Sequence, residues 1–305
     1  MTLSPVIVFA YNRPLHLQRT LDALAACRLA GATAVHVYAD GARKPAAAEA
    51  VAEVRRVLVA EAAAGRFASF DVHASDVNLG LANSIIRGVG QVLETDGRVI
   101  VLEDDLLVSA DFLEFMNDCL SFYADDATIG SIAGSCPIRS VPTADGGVFA
   151  VSRNSSHGWG TWLRVWKDVD WSARYARELN ASLERRMAFN REGNDRYDRL
   201  RRQLAGRIDS WSIRFGLSLF QRGLATVYPV TNRVSNIGYD DSGVHCRSGE
   251  AMNAEIGESP YVLGRLAVQA ENQAAFHRAF SGAWRGRWGR NVLCVWPRLA
   301  GWLGR

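Results

Sequence analysis

Three consecutive acidic residues, Glu103, Asp104 and Asp105, directly follow the apolar run Val99–Leu102. The run is typical of a fully buried β-strand, and open α/β sheets bind their ligands at the carboxyl ends of such strands. Adjacent carboxylates repel one another, and their hard oxygen atoms suit Mg²⁺ or Mn²⁺, ions that also bind substrate phosphates. The triplet therefore predicts a site for Mn²⁺ or Mg²⁺, and the alternative is a solvated acidic turn.

Polar residues also follow the three strands predicted earlier in the chain. Tyr11 and Arg13 follow the first strand, Asp40 the second and Asn78 the third. A guanidinium group binds phosphate or pairs with an acid, and Asp40 can accept a hydrogen bond from a nucleobase N–H. Asn78 either contacts a ribose or caps the next helix. Because parallel strands share one carboxyl edge, these side chains are expected near the triplet.

The elements that must position these residues alternate between strand and helix. The predicted strands are 5–11, 34–39, 70–74, 99–102 and 224–230, and the predicted helices are 15–28, 46–64, 81–95, 110–124 and 207–223. Residues 174–207 are highly charged and helical in pattern, with a break at Gly193-Asn194. The alternation predicts a doubly wound α/β fold.

Composition is that of an ordinary soluble globular protein, with 48% hydrophobic and 22% charged residues among 305. Five scattered cysteines without CxxC spacing indicate reduced thiols in a cytoplasmic setting, and they argue against a disulfide framework or structural zinc. No signal peptide is evident before the first strand, and no apolar stretch is long enough to span a membrane.

The basic residues are unevenly distributed. Six of the 35 lie between 278 and 305, where there is no acid, which leaves 29 basic against 32 acidic residues elsewhere. A basic face for nucleic acid is therefore not expected. Four tryptophans alternate with these arginines, a composition typical of a segment that contacts anionic membranes. We expect residues 280–305 to contact the inner face of the cell membrane, and the alternative is a C-terminal helix packed on the domain.

Common nucleotide and nucleophile motifs are missing. The chain has no GxGxxG after its first strand, no GxxxxGK[ST] loop and no GxSxG elbow. These absences argue against a dinucleotide-binding enzyme, a P-loop enzyme and a serine hydrolase of the α/β type.

Several segments together resemble the GT-A fold of nucleotide-sugar glycosyltransferases, in particular bacterial family 2-like enzymes. The resemblance extends to the N-acetylglucosaminyltransferase I type. It covers about residues 4–246 and rests on VIVFAYNRP, YADGAR, NLGLANSI, VIVLEDDL and HGWGTW. It implies a mixed, mostly parallel sheet flanked by helices. Residues 1–250 would form the catalytic domain, with a nucleotide-binding half (1–125) and an acceptor half (126–250), and residues 251–305 a helical extension.

The resemblance also implies roles for the acidic residues. Asp105 would bind the Mn²⁺ or Mg²⁺ that bridges the donor's two phosphates, Asp104 would face the ribose, and Glu103 would support the sugar or the metal shell. Arg13 would contact the diphosphate, and Asp40 would contact the base, uracil. The family's usual DxD spacing is here Glu-Asp-Asp, which leaves the division of labour among the three acids open.

A general base must deprotonate the acceptor in an inverting transfer. In the family this base is an acid at the start of a helix, and Asp209 occupies the matching position. The alternative for Asp209 is an N-cap. Asp168 and Asp170 are second candidates, with capping or pairing to Arg164 or Arg174 as their alternative.

The HGWGTW segment and a later histidine are further candidates. Trp159, between two glycines, is predicted to stack on a sugar, whereas Trp162 and Trp166 are expected in the core of a helix. The resemblance suggests that His245 completes the metal shell or contacts the diphosphate, and the alternative is a structural histidine.

These observations predict a metal-dependent, inverting glycosyltransferase that uses a UDP-linked donor and a bacterial surface glycan or glycolipid acceptor. A sugar-phosphate nucleotidyltransferase would need a glycine-rich loop after the first strand, where this chain has YNRPL. A non-catalytic sugar-binding protein of the same fold would bind the donor without turnover.

Overall fold

The computed structural model describes residues 2–239 and 255–281. Strands and helices alternate through its first half, as the sequence predicts. The strands are β1 (Val6–Ala10), β2 (Ala34–Ala39), β3 (Ser69–Ala74), β4 (Arg98–Glu103), β5 (Leu106–Val108), β6 (Ile129–Ala133), β7 (Val148–Val151), β8 (Trp159–Trp162), β9 (Ala225–Pro229) and β10 (Val234–Asn236). The helices are α1 (Pro14–Ala25), α2 (Ala48–Ala64), α3 (Leu81–Asp96), α4 (Phe112–Phe122), α5 (Leu163–Trp166), α6 (Ala176–Ala181), α7 (Leu183–Phe189), α8 (Asp195–Leu204), α9 (Trp211–Gln221) and α10 (Ala270–Phe280).

One mixed sheet organises the described residues, in the strand order β3-β2-β1-β4-β8-β6-β9-β7. Strands β3, β2, β1 and β4 are parallel neighbours, and β6 pairs in parallel with β9. Strand β8 runs antiparallel to β4 and β6, and β7 runs antiparallel to β9. The sequence-based prediction of an α/β fold with a mixed, mostly parallel sheet flanked by helices is confirmed.

The central strands are apolar along their whole length because helices cover both faces of the sheet. Every residue of β1 is buried, and so are Val99 to Leu102 of β4. Helix α1 begins at Pro14, whose fixed φ suits the first helical position. Helix α3 ends at Gly97, which has the left-handed φ of 73° that glycine adopts without steric cost.

The charged stretch in the second half forms three short helices, α6 to α8, with their own apolar cluster around Leu179, Phe189 and Leu217. The predicted break between α7 and α8 is at Gly193, where φ is 134°. Helix α10 lies within the predicted C-terminal extension, and its Phe276 packs on Phe149 and Tyr228 of the sheet.

None of the helices in the described ranges is both long enough and apolar enough to cross a bilayer. His245 and the tryptophans between 284 and 302 lie outside the described residues, so the predictions made for them stay predictions.

Candidate active site

The parallel strands bring the predicted polar residues to one edge of the sheet. Strands β2, β1 and β4 lie side by side and run in the same direction, so their carboxyl ends meet. Asp40, Arg13 and the acidic triplet emerge from those ends. The sequence-based expectation that they share an edge is therefore confirmed.

Arg13 links the two aspartates of the triplet. Its Nη2 lies 2.5 Å from Oδ1 of Asp104 and 2.9 Å from Oδ2 of Asp105. The backbone N–H of Tyr11 donates to the other oxygen of Asp104 at 3.3 Å, and the Thr20 hydroxyl donates to its carbonyl at 2.9 Å. Because both aspartates are buried, the solvated acidic turn is excluded as a description of the triplet.

The crowding of carboxylates changes their proton affinity. Burial, reinforced by the charges of Asp105 and Asp104 and opposed by Arg13, raises the pKa of Glu103 to about 8. Burial also raises the pKa of Asp104 to about 6, although Arg13 works in the opposite direction. One guanidinium therefore does not neutralise three acids in this setting.

A loop from the end of β10 closes over Asp105. Strand β10 pairs with β5, which directly follows the triplet, and the Ile237 N–H donates to the Asp105 carbonyl at 2.8 Å. Gly238 lies so close to the Asp105 carboxylate that a β-carbon there would clash with Oδ2 and would stand 2.7 Å from Nη1 of Arg13. Only glycine fits at this position without displacing the ion pair.

The triplet suits a divalent cation shared with a substrate. Oδ1 of Asp105 is a buried oxygen with no hydrogen-bond partner in the described chain, which makes it a candidate ligand atom. Within residues 2–239 and 255–281 there is no cluster of three metal-binding side chains. Mg²⁺ and Mn²⁺ commonly use one or two carboxylates together with substrate phosphates, so Asp105 fits such an ion.

Asp40 and Asn78 organise the neighbouring loops. Asp40 accepts hydrogen bonds from the N–H groups of Gly41, Leu79 and Gly80 at 2.8 to 3.0 Å. Asn78 donates its amide to the Gly41 carbonyl at 2.8 Å, and Gly80 rather than Asn78 is the N-cap of α3, so the capping alternative is wrong. The predicted contacts of Asp40 with a base and of Asn78 with a ribose stay predictions.

Tyr11 connects the ends of β1 and β2. Its hydroxyl accepts a hydrogen bond from the Arg43 N–H at 3.1 Å, and its ring is partly exposed at the same edge. Its predicted contact with the nucleotide stays a prediction.

Trp159 does not line a ligand pocket, so that prediction is wrong. It is 1% exposed and its ring stacks on Trp211 at 4.7 Å between centroids and on Trp166 at 5.7 Å. Strand β8 lies inside the sheet with helices on both sides, so the Trp159 side chain is buried in the core. Trp162 and Trp166 are buried as expected, but Trp162 ends β8 rather than belonging to a helix.

The same aromatic stack fixes the start of α9, two residues after Asp209. Trp159 pairs with Val101 near the carboxyl end of β4, and its partner Trp211 is the first residue of α9. Ser210 caps this helix, so the capping alternative for Asp209 is wrong. The Asp209 side chain is 58% exposed, and its Oδ1 accepts a hydrogen bond from Arg214 at 2.7 Å.

The two second candidates for the base have structural partners. Asp168 lies 3.5 Å from Arg222, and Asp170 accepts hydrogen bonds from Ser172 and from the Arg174 N–H. Asp170 therefore acts as a local cap, as the sequence-based alternative states.

Sequence reasoning did not assign a role to His157. The residue precedes β8 at the site edge, burial lowers the pKa of its ring, and the charge of Asp105 acts in the opposite direction. The feature that could have pointed to His157 is its position two residues before Trp159, just outside β8, which runs antiparallel to β4.

Two of the three comparisons with known proteins give no match: no protein-family model matches the chain, and no curated protein does. Among solved structures, the mannosyltransferase PcManGT from Pyrobaculum calidifontis, in complex with GDP-Man and Mn²⁺, is similar at a TM-score of 0.39 and 14% identity over 55% of this chain and 48% of that one. S. aureus TarS 1–349 is similar at a TM-score of 0.36 and 15% identity over 55% of this chain and 49% of that one.

TarS 1–349 in complex with UDP-GlcNAc is similar at a TM-score of 0.29 and 13% identity over 42% of this chain and 33% of that one. The matched region spans less than half the length of each of these proteins. At such low identities and TM-scores, the reaction of this chain must be argued from its own residues.

Replacing Gly238 with alanine tests the close approach of this loop to Asp105. The new β-carbon must displace the carboxylate or the loop, so we expect Gly238→Ala to lower the free energy of unfolding by about 1–3 kcal/mol. Gly31→Ala is the matched control, because a β-carbon there meets nothing within 4 Å. Chemical denaturation of both variants gives the values, and equal stability of the two would contradict the geometry.

Proposed function

We propose that the protein is a metal-dependent, inverting glycosyltransferase that takes a sugar from a nucleotide diphosphate donor, UDP-linked, and moves it to a bacterial surface glycan or glycolipid. The observation that carries this proposal is the buried Asp104–Asp105 pair bridged by Arg13 at the carboxyl end of a central parallel strand. Ligands of doubly wound sheets bind at this edge.

The charge of the site explains why a metal belongs to the proposal. A diphosphate is an anion, and the two aspartates outnumber the one guanidinium of Arg13, so the site without a metal repels it. A divalent ion on Asp105 would attract both the carboxylates and the diphosphate. It would also neutralise the charge that develops on the departing nucleoside diphosphate. Arg13, already at this position, would contact a phosphate oxygen through its remaining N–H groups.

The connection between β1 and α1 argues against a sugar-phosphate nucleotidyltransferase. Only Tyr11 to Arg13 separate β1 from α1, and none of these residues is glycine. A sugar-phosphate nucleotidyltransferase would use a glycine-rich loop here to wrap backbone N–H groups around a triphosphate. The short connection instead presents one side-chain cation.

Asp209 is our proposed general base. It directly precedes Ser210, the N-cap of α9, and in this proposal its exposed carboxylate meets an acceptor hydroxyl that enters from solvent. Arg214 binds Oδ1 and thereby orients the carboxylate. In this proposal Asp209 takes the hydroxyl proton as the acceptor oxygen attacks the sugar carbon from the face opposite the leaving diphosphate.

The acceptor and the site of action are also proposals. The excess of arginine and tryptophan between residues 278 and 305 supports contact with an anionic membrane surface. We place the enzyme in the cytoplasm, peripheral on the inner face of the cell membrane, where lipid-linked glycans are extended.

Donor hydrolysis is the direct test of the reaction. We expect release of nucleoside diphosphate from a UDP-sugar, with GDP- and dTDP-sugars as comparisons, and loss of turnover in EDTA. Asp105→Asn should weaken Mn²⁺-dependent nucleotide binding, measured by calorimetry, by at least about tenfold. Absence of turnover with every donor and metal would refute the proposed function.

Replacing the proposed base should separate binding from transfer. Asp209→Asn should leave donor affinity unchanged and lower kcat for transfer by about 10²–10⁴-fold, because only the proton acceptor is lost. Asp168→Asn is the matched control, since Asp168 is 54% exposed and also lies beside an arginine. Normal transfer by Asp209→Asn would exclude this residue as the base.

Membrane contact can be tested in the full chain. We expect the triple replacement of Arg285, Arg287 and Arg290 by glutamine to reduce co-sedimentation with anionic vesicles, since each basic residue near such a surface contributes about 1 kcal/mol. The matched control replaces three exposed arginines elsewhere, namely Arg174, Arg177 and Arg207. Equal binding by both variants would argue against the role of the C-terminal segment.

A further inference from the structure

We infer that His157 is the second protein ligand of the divalent cation, besides Asp105, and that one carboxylate, one imidazole and the donor's phosphate oxygens would hold the ion. This inference rests on the proposed function, because that function supplies the ion and the diphosphate. It names a ligand within the described chain, whereas the sequence pointed to His245.

The strand register places His157 at the triplet. Strand β8 runs antiparallel to β4, with Arg98 opposite Trp162 and Val101 opposite Trp159. His157 lies two residues before Trp159, and Glu103 lies two residues after Val101. Glu103, the last residue of β4, and His157, just before β8, therefore lie at the same end of one strand pair.

Backbone packing holds the His157 segment against the loop that covers Asp105. The Gly134 N–H donates to the Gly158 carbonyl at 2.6 Å, and a β-carbon on Gly158 would stand 2.7 Å from Val234. Val234 begins β10, and Ile237, just after that strand, donates its N–H to the Asp105 carbonyl. The segment that contains His157 thus packs against the strand that leads into the loop over Asp105.

The electrostatics and the hydrogen bonds agree with this placement. The charge of Asp105 raises the pKa of the His157 ring, against the larger effect of burial. Asp105 is 5% exposed and its Oδ1 has no hydrogen-bond partner in the described chain. A buried carboxylate oxygen without a partner requires a ligand, and a nearby imidazole supplies the nitrogen that Mn²⁺ accepts beside oxygen.

The two protein ligands also explain the composition of the site. A set of three protein ligands is not present among residues 2–239 and 255–281. In this inference phosphate oxygens and water fill the remaining positions of the ion. Such a site binds the ion firmly only when the diphosphate is present. Metal and donor should therefore bind cooperatively.

Electron spin echo envelope modulation of Mn²⁺ bound to the full chain with UDP tests the inference. A nitrogen ligand gives ¹⁴N modulation, which we expect in the wild type and in His277→Gln, a matched control whose half-buried histidine lies on α10. We expect the modulation to disappear in His157→Gln, together with at least about tenfold weaker Mn²⁺ binding. His157→Asn provides a second variant if the first does not fold.

If a folded His157 variant retains the ¹⁴N modulation, the inference is overturned, even if replacing another histidine removes the modulation. Absence of ¹⁴N modulation from the wild type also overturns the inference. Donor hydrolysis by the wild type, measured in parallel, separates the two proposals. Metal-dependent turnover without ¹⁴N modulation rejects only the role of His157. Absence of turnover rejects the proposed function, while the spectrum still reports on the ligand.

Discussion

The repulsion among three carboxylates at the end of one buried strand is the constraint on which the site depends. Glu103, Asp104 and Asp105 follow strand β4 in a low-dielectric setting where like charges interact strongly. Arg13 forms ion pairs with Asp104 and Asp105. Burial together with the charges of these two acids raises the pKa of Glu103 to about 8. The surrounding elements either supply positive charge or fix the backbone of the triplet.

Those elements come from distant parts of the chain. Arg13 follows the first strand, the Thr20 hydroxyl comes from α1, and Ile237 comes from the last described strand. Gly238 gives the loop enough room to lie on the carboxylate. The site is thus assembled by sheet pairing, and its negative charge fits it for a cation.

Particular residues show how far the sequence could be interpreted. The apolar run 99–102 identified β4, and the alternation of strands and helices predicted the doubly wound fold. The structure supplies the strand order that brings Arg13 and Asp40 to the edge of the triplet. The two glycines around Trp159 suggested an accessible ring. An interior strand buries that ring against Trp211 instead, and neighbouring glycines do not reveal which face a side chain takes. Likewise, Asp209 and Ser210 are both good caps by type, and only the geometry of α9 distinguishes them.

The sequence by itself determined the secondary structure of the first half and the location of the acidic triplet, because hydrophobic periodicity and strand-end acids are local properties. The tertiary structure decided that Arg13 bridges Asp104 and Asp105, that Trp159 is a core residue, and that the segment of His157 leads into a strand antiparallel to β4. These relations join residues more than fifty positions apart in the chain or depend on which face of a strand is covered. Strand register and helix packing determine these contacts and the covered face, and a local sequence pattern encodes neither the register nor the packing.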